Sequence, residues 1–214
     1  KAKSSGDYSV ADRFLKGLIS FQQQHAGYEL PGDFRKNIEI AYYTYHPFKK
    51  LFPYFFTLGL VLLIIQLALI VAGKSLSQWA RRIFFFLFLA GFVVQTLGIA
   101  ARWFISGHAP MSNGYESMLF IAWITVLAGF LFHRRSVFAL PATAVLAGLS
   151  LLVANLSFMD PEITNLVPVL QSYWLTIHVS VITASYGFLG LGAILGLIVH
   201  LLIVLRTGAN HAHV

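Results

Sequence analysis

The chain contains no cysteine, so it has no disulfide, no thiolate metal site and no cysteine nucleophile of its own. Charged residues are also scarce: they make up 11% of the 214 residues, whereas about a quarter of a soluble domain is charged. A glycine-rich phosphate loop, a His-Glu-x-x-His zinc motif and a carboxylate pair within an apolar segment are all missing. These absences exclude thiol chemistry and give no support to the common nucleotide-binding and metalloprotease classes.

Apolar residues dominate what is present, at 57% of the chain with a mean hydropathy of +0.73. Residues 1–50 hold eight Lys/Arg and five Asp/Glu, and only seven and three remain for residues 51–214. The basic pairs lie at the ends of apolar runs, so membrane topology explains the net charge of +7 better than binding to nucleic acid. We therefore predict an all-α fold, a polytopic helix bundle surrounded by membrane lipid, with no nucleic acid partner.

Five apolar segments are long enough to cross a bilayer, which takes about 20 helical residues. We expect about five transmembrane helices, within a domain 51–214, at residues 51–73, 83–105, 115–132, 137–157 and 173–205. The small-residue pattern Gly192-x-x-x-Gly196 predicts a packing surface on the last of them.

The connections between these segments differ in charge, which predicts their orientation. Residues 73–82 and 133–135 are basic, 107–114 lack Lys, Arg, Asp and Glu, and 158–165 are acidic. Because Lys and Arg concentrate in cytoplasmic loops, we predict an inner-membrane, multi-pass protein with its basic loops and its C-terminus (through Arg206) in the cytoplasm. The N-terminus, the His108 loop and Asp160 are then extracytoplasmic.

Residues 1–50 predict a different kind of structure. Val10, Phe14, Leu18 and Phe21 recur at helical spacing after a Ser9-x-x-Asp12 capping signal, and Pro31 is placed to open a second helix. We expect two amphipathic extracytoplasmic helices that lie on the membrane or on a partner domain. The polar start without methionine also leads us to expect an internal piece of a longer polypeptide.

His178 lies one to two turns into the last segment, with Trp174 four residues before it on the same face. An imidazole at this depth either hydrogen-bonds a neighbouring helix or acts as an axial ligand to a flat, apolar cofactor with an acidic edge, which is haem. His200 is 22 residues further on, roughly 33 Å along a helix, so these two histidines cannot share one haem. The residues leave both roles of His178 open.

Residues 102–117 place an arginine, a histidine and a glutamate between two apolar segments, where ionisable groups are costly and usually functional. We expect Arg102 to extend outward to the interface and to pair with a haem propionate. His108 precedes Pro110 in a turned loop, from which it can approach the same site. Glu116 begins the third helix, and a carboxylate at a positive helix end is explained by structure alone.

These residues resemble a known family. The sequence His-Ala-Pro-Met-Ser-Asn-Gly-Tyr-Glu-Ser at 108–117, with Arg102-Trp103 upstream, is similar to a segment of the system II cytochrome c biogenesis proteins. That family comprises the CcsA/ResC proteins and the fused CcsBA synthetases. Residues 167–178, which end at His178, resemble the helix that carries the family's external haem-ligand histidine, and residues 39–48 resemble the junction in its fused members. The resemblance covers most of residues 39–205.

The resemblance implies that His178 is the first external ligand of haem b and that the motif loop comprises Arg102, His108, Pro110, Asn113, Tyr115 and Glu116. The family delivers haem to the extracytoplasmic face, where it is joined to Cys-x-x-Cys-His of an apocytochrome c. A CcsB/ResB-like protein, fused or separate, is the other implied partner. The family's Trp-rich signature, second external histidine and bilayer histidines have no match here, so we expect the 214 residues alone to form half of a haem site.

We therefore predict the N-terminal half of the membrane domain of a cytochrome c haem lyase, inactive by itself, whose chemistry belongs to haem and to the substrate thiols. We assign it no catalytic residue. Two alternatives remain: a membrane protein that handles or exports haem without forming the covalent bond, and a multi-span scaffold without a cofactor.

Overall fold

The computed structural model describes residues 7–25, 32–156, 158–163 and 172–205. These residues form helices and no β-strand, and the chain separates into two compact units, Lys1–Ile40 and Ala41–Val214. The helices are α1 (Ser9–His25), α2 (Asp33–Tyr45), α3 (Pro47–Val71), α4 (Gln78–Ser106), α5 (Gly114–Phe132), α6 (Ala139–Ala154) and α7 (Tyr173–Val204). The predictions for Pro31, for residues 167–171 and for the C-terminus from Arg206 onward lie outside the described residues.

Four of the helices, α3, α4, α5 and α7, are long and apolar enough to cross a membrane by length and composition. The prediction of an all-α, polytopic helix bundle is therefore confirmed. The remaining segment, α6, has 16 residues and is shorter than the predicted 137–157. At its C-terminal end the Asn155 side-chain amide donates to the Leu151 carbonyl at 2.7 Å, and the Leu156 amide donates to the Val153 carbonyl at 3.1 Å in place of the helical i−4 carbonyl.

Glycines bring the helices of the second unit together around α6, which packs mainly against α3 and α5. A Cβ atom at Gly148 would lie 2.7 Å from the backbone nitrogen of Phe56, and one at Gly59 would lie 2.8 Å from the Cβ of Ala144. Apolar helices in lipid associate by such close packing. No described atom lies within 4 Å of a Cβ built at Gly192 or Gly196, so the packing predicted there is not made within this structure.

The first unit contains α1, and the predicted helical spacing of its apolar residues is present. Val10, Phe14, Leu18 and Phe21 are all exposed. At its N-terminal end the Asp7 carboxylate accepts a hydrogen bond from the Ser9 amide at 2.9 Å, and this bond lowers the pKa of Asp7. The extracytoplasmic position of this segment and the domain boundary at residue 50 stay predictions.

The helix break between α2 and α3 falls on His46, the one described non-glycine residue with a positive φ, of 43°. This left-handed conformation costs an L-residue about 1–3 kcal/mol. Pro47 then begins α3, where its missing amide hydrogen is not needed. His46 is therefore the single residue that separates the end of α2 from the start of α3.

Candidate functional site

The motif loop between α4 and α5 is ordered by its own residues. Gly107 ends α4 in a left-handed conformation with a φ of 77°, and its amide donates to the Trp103 carbonyl at 2.9 Å. Asn113 caps α5, because its side-chain oxygen accepts from the Glu116 amide at 2.8 Å. The Glu116 carboxylate in turn accepts from the Ser112 amide at 2.7 Å. Both ends of the loop are therefore fixed to the helices that it joins.

A buried ion pair joins the same two helices. Nε of Arg102 on α4 donates to Oε1 of Glu116 on α5 at 2.7 Å, and both side chains are almost completely buried. The Tyr115 ring lies 4.9 Å from the guanidinium carbon, so a cation–π contact accompanies the pair. Removing one partner of such a pair leaves an uncompensated charge, which costs about 3–5 kcal/mol.

Arg102 also holds the connection that follows α6. Its Nη1 donates to the Pro161 carbonyl at 2.7 Å, and its Nη2 donates to the Glu162 carbonyl at 3.1 Å. Nη1 lies 3.4 Å from the Tyr42 hydroxyl as well. Burial raises the pKa of Tyr42, and the charge of Arg102 opposes that shift. One guanidinium therefore ties α4 to α5, to the end of α2 and to residues 161–162.

Arg102 is 0% exposed, so its guanidinium contacts protein groups and not interfacial water. Glu116 explains this burial, because a carboxylate within reach gives the guanidinium a better partner than water. Its predicted extension toward the outer interface stays a prediction. A propionate contact stays a prediction, and it would require a carboxylate to displace one of the backbone carbonyls that now accept from Arg102.

His108 is half-buried in the loop. Its Nδ1 lies 3.1 Å from the Ala109 carbonyl oxygen and 3.0 Å from the Ser112 hydroxyl. When Nδ1 carries the proton and donates to the carbonyl, the Nε2 lone pair is available to a ligand. Pro110 is buried within a tight turn, in which the Met111 amide donates to the Ala109 carbonyl at 2.8 Å.

His178 lies on an exposed face near the start of α7. Trp174, one turn before it, is 76% exposed. Ser180 lies about 200° around the helix from His178, and its hydroxyl is 2.9 Å from the Met111 sulfur in the motif loop. The loop therefore contacts one face of α7, and the imidazole is on the opposite face.

Beside the ion pair is a cavity of about 260 Å³. Tyr42, Tyr115 and Pro161 line it together with His46, the residue in the strained turn. Tyr43 also lines it and fixes the adjoining connection, because its hydroxyl accepts from the Ile163 amide at 2.8 Å. The cavity is aromatic and polar, and it adjoins the group around Arg102.

The structure thus brings together four of the eight predicted residues, Arg102, Asn113, Tyr115 and Glu116, and places Pro110 in the loop between them. His108 lies in the same loop, whereas His178 and Trp174 are exposed on α7. Sequence reasoning missed Tyr42 and the two carbonyls that bind Arg102. They lie 59–60 residues away in the chain, and backbone carbonyls carry no residue-type signal.

The pattern of the Cytochrome C assembly protein family matches residues 111–210, a stretch that contains Glu116 and His178. Protein NrfI of Wolinella succinogenes is 43% identical over 206 residues, which cover 94% of this chain and 23% of NrfI. The chain belongs to the cytochrome c assembly family. Cytochrome c biogenesis protein CcsA of Prochlorococcus marinus strain MIT 9303 is 41% identical over 111 residues, half of this chain and 35% of that protein.

CcsA of strain NATL2A of the same organism is 42% identical over 130 residues, or 58% of this chain and 40% of that relative. The matched stretches therefore cover less than half of the length of each of these three relatives. The membership shows a membrane protein of cytochrome c assembly and agrees with the resemblance of residues 108–117 and 167–178.

Proposed function

We propose that this assembly-family protein binds haem b through His178 and presents it at the extracytoplasmic face for attachment to apocytochrome c. The observation that carries the proposal is the exposed imidazole of His178 beside an exposed Trp174 on α7. Buried histidines usually satisfy hydrogen bonds within a core, whereas an exposed one on an apolar helix is available to a partner or a ligand.

The residues around His178 fit one face of haem. A neutral imidazole is a usual axial ligand of haem iron, and Trp174 and Ile182, one turn before and after it, offer apolar surface to the macrocycle. Both neighbours are exposed, like His178 itself. In this proposal the second axial ligand comes from outside the described residues.

The ion pair of Arg102 and Glu116 has a positioning role in this proposal. It fixes the motif loop, and Met111 in that loop contacts Ser180 on α7. The first turns of α7, and with them His178, are thereby oriented relative to the loop. His108 lies in the same loop, which contacts the face of α7 opposite His178, and its own contact with haem stays a prediction.

When bound, haem supplies the vinyl groups to which the two thiols of Cys-x-x-Cys-His in apocytochrome c add. This chain holds and orients the acceptor, and it contributes no cysteine to the reaction. We propose that it acts as part of a haem lyase, together with a CcsB/ResB-like partner, in the cytoplasmic membrane.

The test is His178→Ala in the full-length protein, with His200→Ala as the matched control on the same helix. His200 is also an exposed histidine, and its Nδ1 lies 3.3 Å from the Gly196 carbonyl. We expect His178→Ala to lose bound haem or to shift its Soret band, and added imidazole to restore part of the spectrum by occupying the vacated position. His200→Ala should keep both the spectrum and cytochrome c maturation.

Other outcomes would select the alternatives. An unchanged spectrum in His178→Ala would remove the ligand assignment. A lost spectrum with normal maturation would indicate haem handling without attachment. A full-length wild-type protein that carries no haem would favour a scaffold.

A further inference from the structure

A second cavity, of about 390 Å³, lies at the ends of α4 and α5 opposite the motif loop. Its rim is basic: Arg81 lies in the first turn of α4, and His133, Arg134 and Arg135 follow α5. Its wall is apolar, formed by residues such as Leu62, Phe84 and Phe85. A volume of this size falls within the range of about 300–1,000 Å³ typical of ligand sites.

The arginines on this rim have no acidic partner in the part of the chain that the structure describes. None of the described residues that line the cavity is acidic, and no carboxylate in the described ranges pairs with Arg81, Arg134 or Arg135. Cationic side chains around one cavity repel one another, and an anion between them relieves that repulsion. Their fixed donor geometry suits a phosphate.

Gln66 adds a polar group to the wall of the cavity. It is 7% exposed, and its amide oxygen has no hydrogen-bond partner among the described residues. It lies five residues before α3 ends at Val71, or about 7.5 Å along the helix, so it is near the helix end that carries the basic rim. An unpartnered amide oxygen in such a place costs about 1–3 kcal/mol unless a ligand donates to it.

We propose that this cavity binds an anionic phospholipid headgroup that carries a hydroxyl. The phosphate lies between Arg81 and the arginines after α5, a headgroup hydroxyl donates to Gln66, and the acyl chains run along the apolar wall. Basic pockets between transmembrane helices are suited to anionic headgroups. A zwitterionic headgroup fits less well, because its ammonium group would face the same cations.

The test measures lipid retention by native mass spectrometry on the full-length protein in neutral detergent, with phosphatidylglycerol or phosphatidylethanolamine as the probe. We expect phosphatidylglycerol to be retained preferentially. Arg81→Gln should weaken its binding about tenfold, the loss of one charge-assisted hydrogen bond. Arg82→Gln is the matched control, since Arg82 does not line the cavity and its guanidinium lies over the Trp79 ring at 5.5 Å.

Further variants separate binding from folding. Gln66→Leu should reduce the preference for phosphatidylglycerol while leaving every cation in place. If Arg81→Gln lowers the thermal midpoint of the protein, Arg134→Gln provides the same comparison at a position outside the helices. Equal losses in Arg81→Gln and Arg82→Gln, or equal retention of the two lipids, would overturn the proposal. Displacement of the lipid by millimolar inorganic phosphate would replace it with a soluble-phosphate site.

Discussion

At the scale of the residue, Arg102 hydrogen-bonds to more separate parts of the chain than any other polar side chain of the site. It is buried, it pairs with Glu116, and it holds two carbonyls of a connection that is distant in the chain. A lysine at this position would supply a single ammonium group in place of a planar guanidinium, whose Nε, Nη1 and Nη2 donate to three different acceptors. The arginine therefore connects α4 to α5 and to α2, and this structural role does not depend on a ligand.

We expect Arg102→Ala and Glu116→Gln to lower the stability of the protein by about 3–5 kcal/mol each, because each leaves a buried group uncompensated. The double variant should lose less than the sum of the two, since the charges act on each other. Thermal midpoints of the purified protein measure both effects. If Arg102 instead acts mainly on a propionate, Arg102→Ala will lose haem while Glu116→Gln keeps its haem and its midpoint.

The sequence indicated that Arg102 and Glu116 lie near one interface, and it did not predict that they pair with each other. The stretch 102–117 indicated an arginine, a histidine and a glutamate near one interface, and the structure places Arg102 and Glu116 in contact. Their pairing escaped prediction because helix periodicity does not extend across a loop, and the arginine appeared equally suited to an external anion. Tyr42 carried no signal at all, since its distance from Arg102 is set by the tertiary fold.

At the scale of the element, apolar run lengths predicted the ends of the four long helices to within five residues, and α6 is the helix that is shorter than predicted at both ends. The error has a physical cause. Run length measures hydrophobicity, whereas the end of α6 is set by hydrogen bonds from Asn155. Sequence pattern also selected Gly192 and Gly196 for packing, although in the described residues Gly59 and Gly148 make the close approaches.

The glycines predict a graded response to added methyl groups. Gly148→Ala places its Cβ 2.7–2.8 Å from backbone atoms of Phe56, so α3 and α6 must separate, at a cost of about 1–3 kcal/mol. Gly98→Ala is the control, because its nearest neighbour at 2.9 Å is the far end of the Phe48 ring, which can move. Gly148→Ala should lower the thermal midpoint more than Gly98→Ala. A reversed order would mean that helix α3 adjusts more easily than the ring.

At the scale of the whole molecule, the basic connections of the membrane unit lie at one end of the helices, and the motif loop and residues 161–162 lie at the other, as their charges predicted. At one end of the bundle, the basic connections 72–77 and 133–138 line two adjoining cavities that have residues in common. At the other end, Arg102 joins the motif loop to residues 161–162. The sequence predicted this grouping because connections alternate between the two sides of a bilayer. Which end faces the cytoplasm rests on the positive-inside rule.

Cysteine labelling measures that orientation, and the 214 residues contribute no cysteine background. Cysteines introduced at Ala109 and Asp160 should react with an impermeant thiol reagent in intact cells. Those introduced at Trp79 and Arg135 should react only after the membrane is opened, and both of these positions are exposed in the structure. The opposite pattern would place the His178 end in the cytoplasm and remove the proposed extracytoplasmic haem site.

The shortness of α6 has a consequence for the bilayer around the protein. Its 16 residues span about 24 Å, less than the roughly 30 Å of a hydrocarbon core. A helix of that length in contact with acyl chains would have to thin the membrane. Most of α6 is buried, and α3, α5 and α7 all pack against it. Hydrophobic mismatch with the bilayer therefore acts on α3, α5 and α7. A bilayer of changed thickness would tilt these helices, and α6, which they enclose, would not respond to it directly.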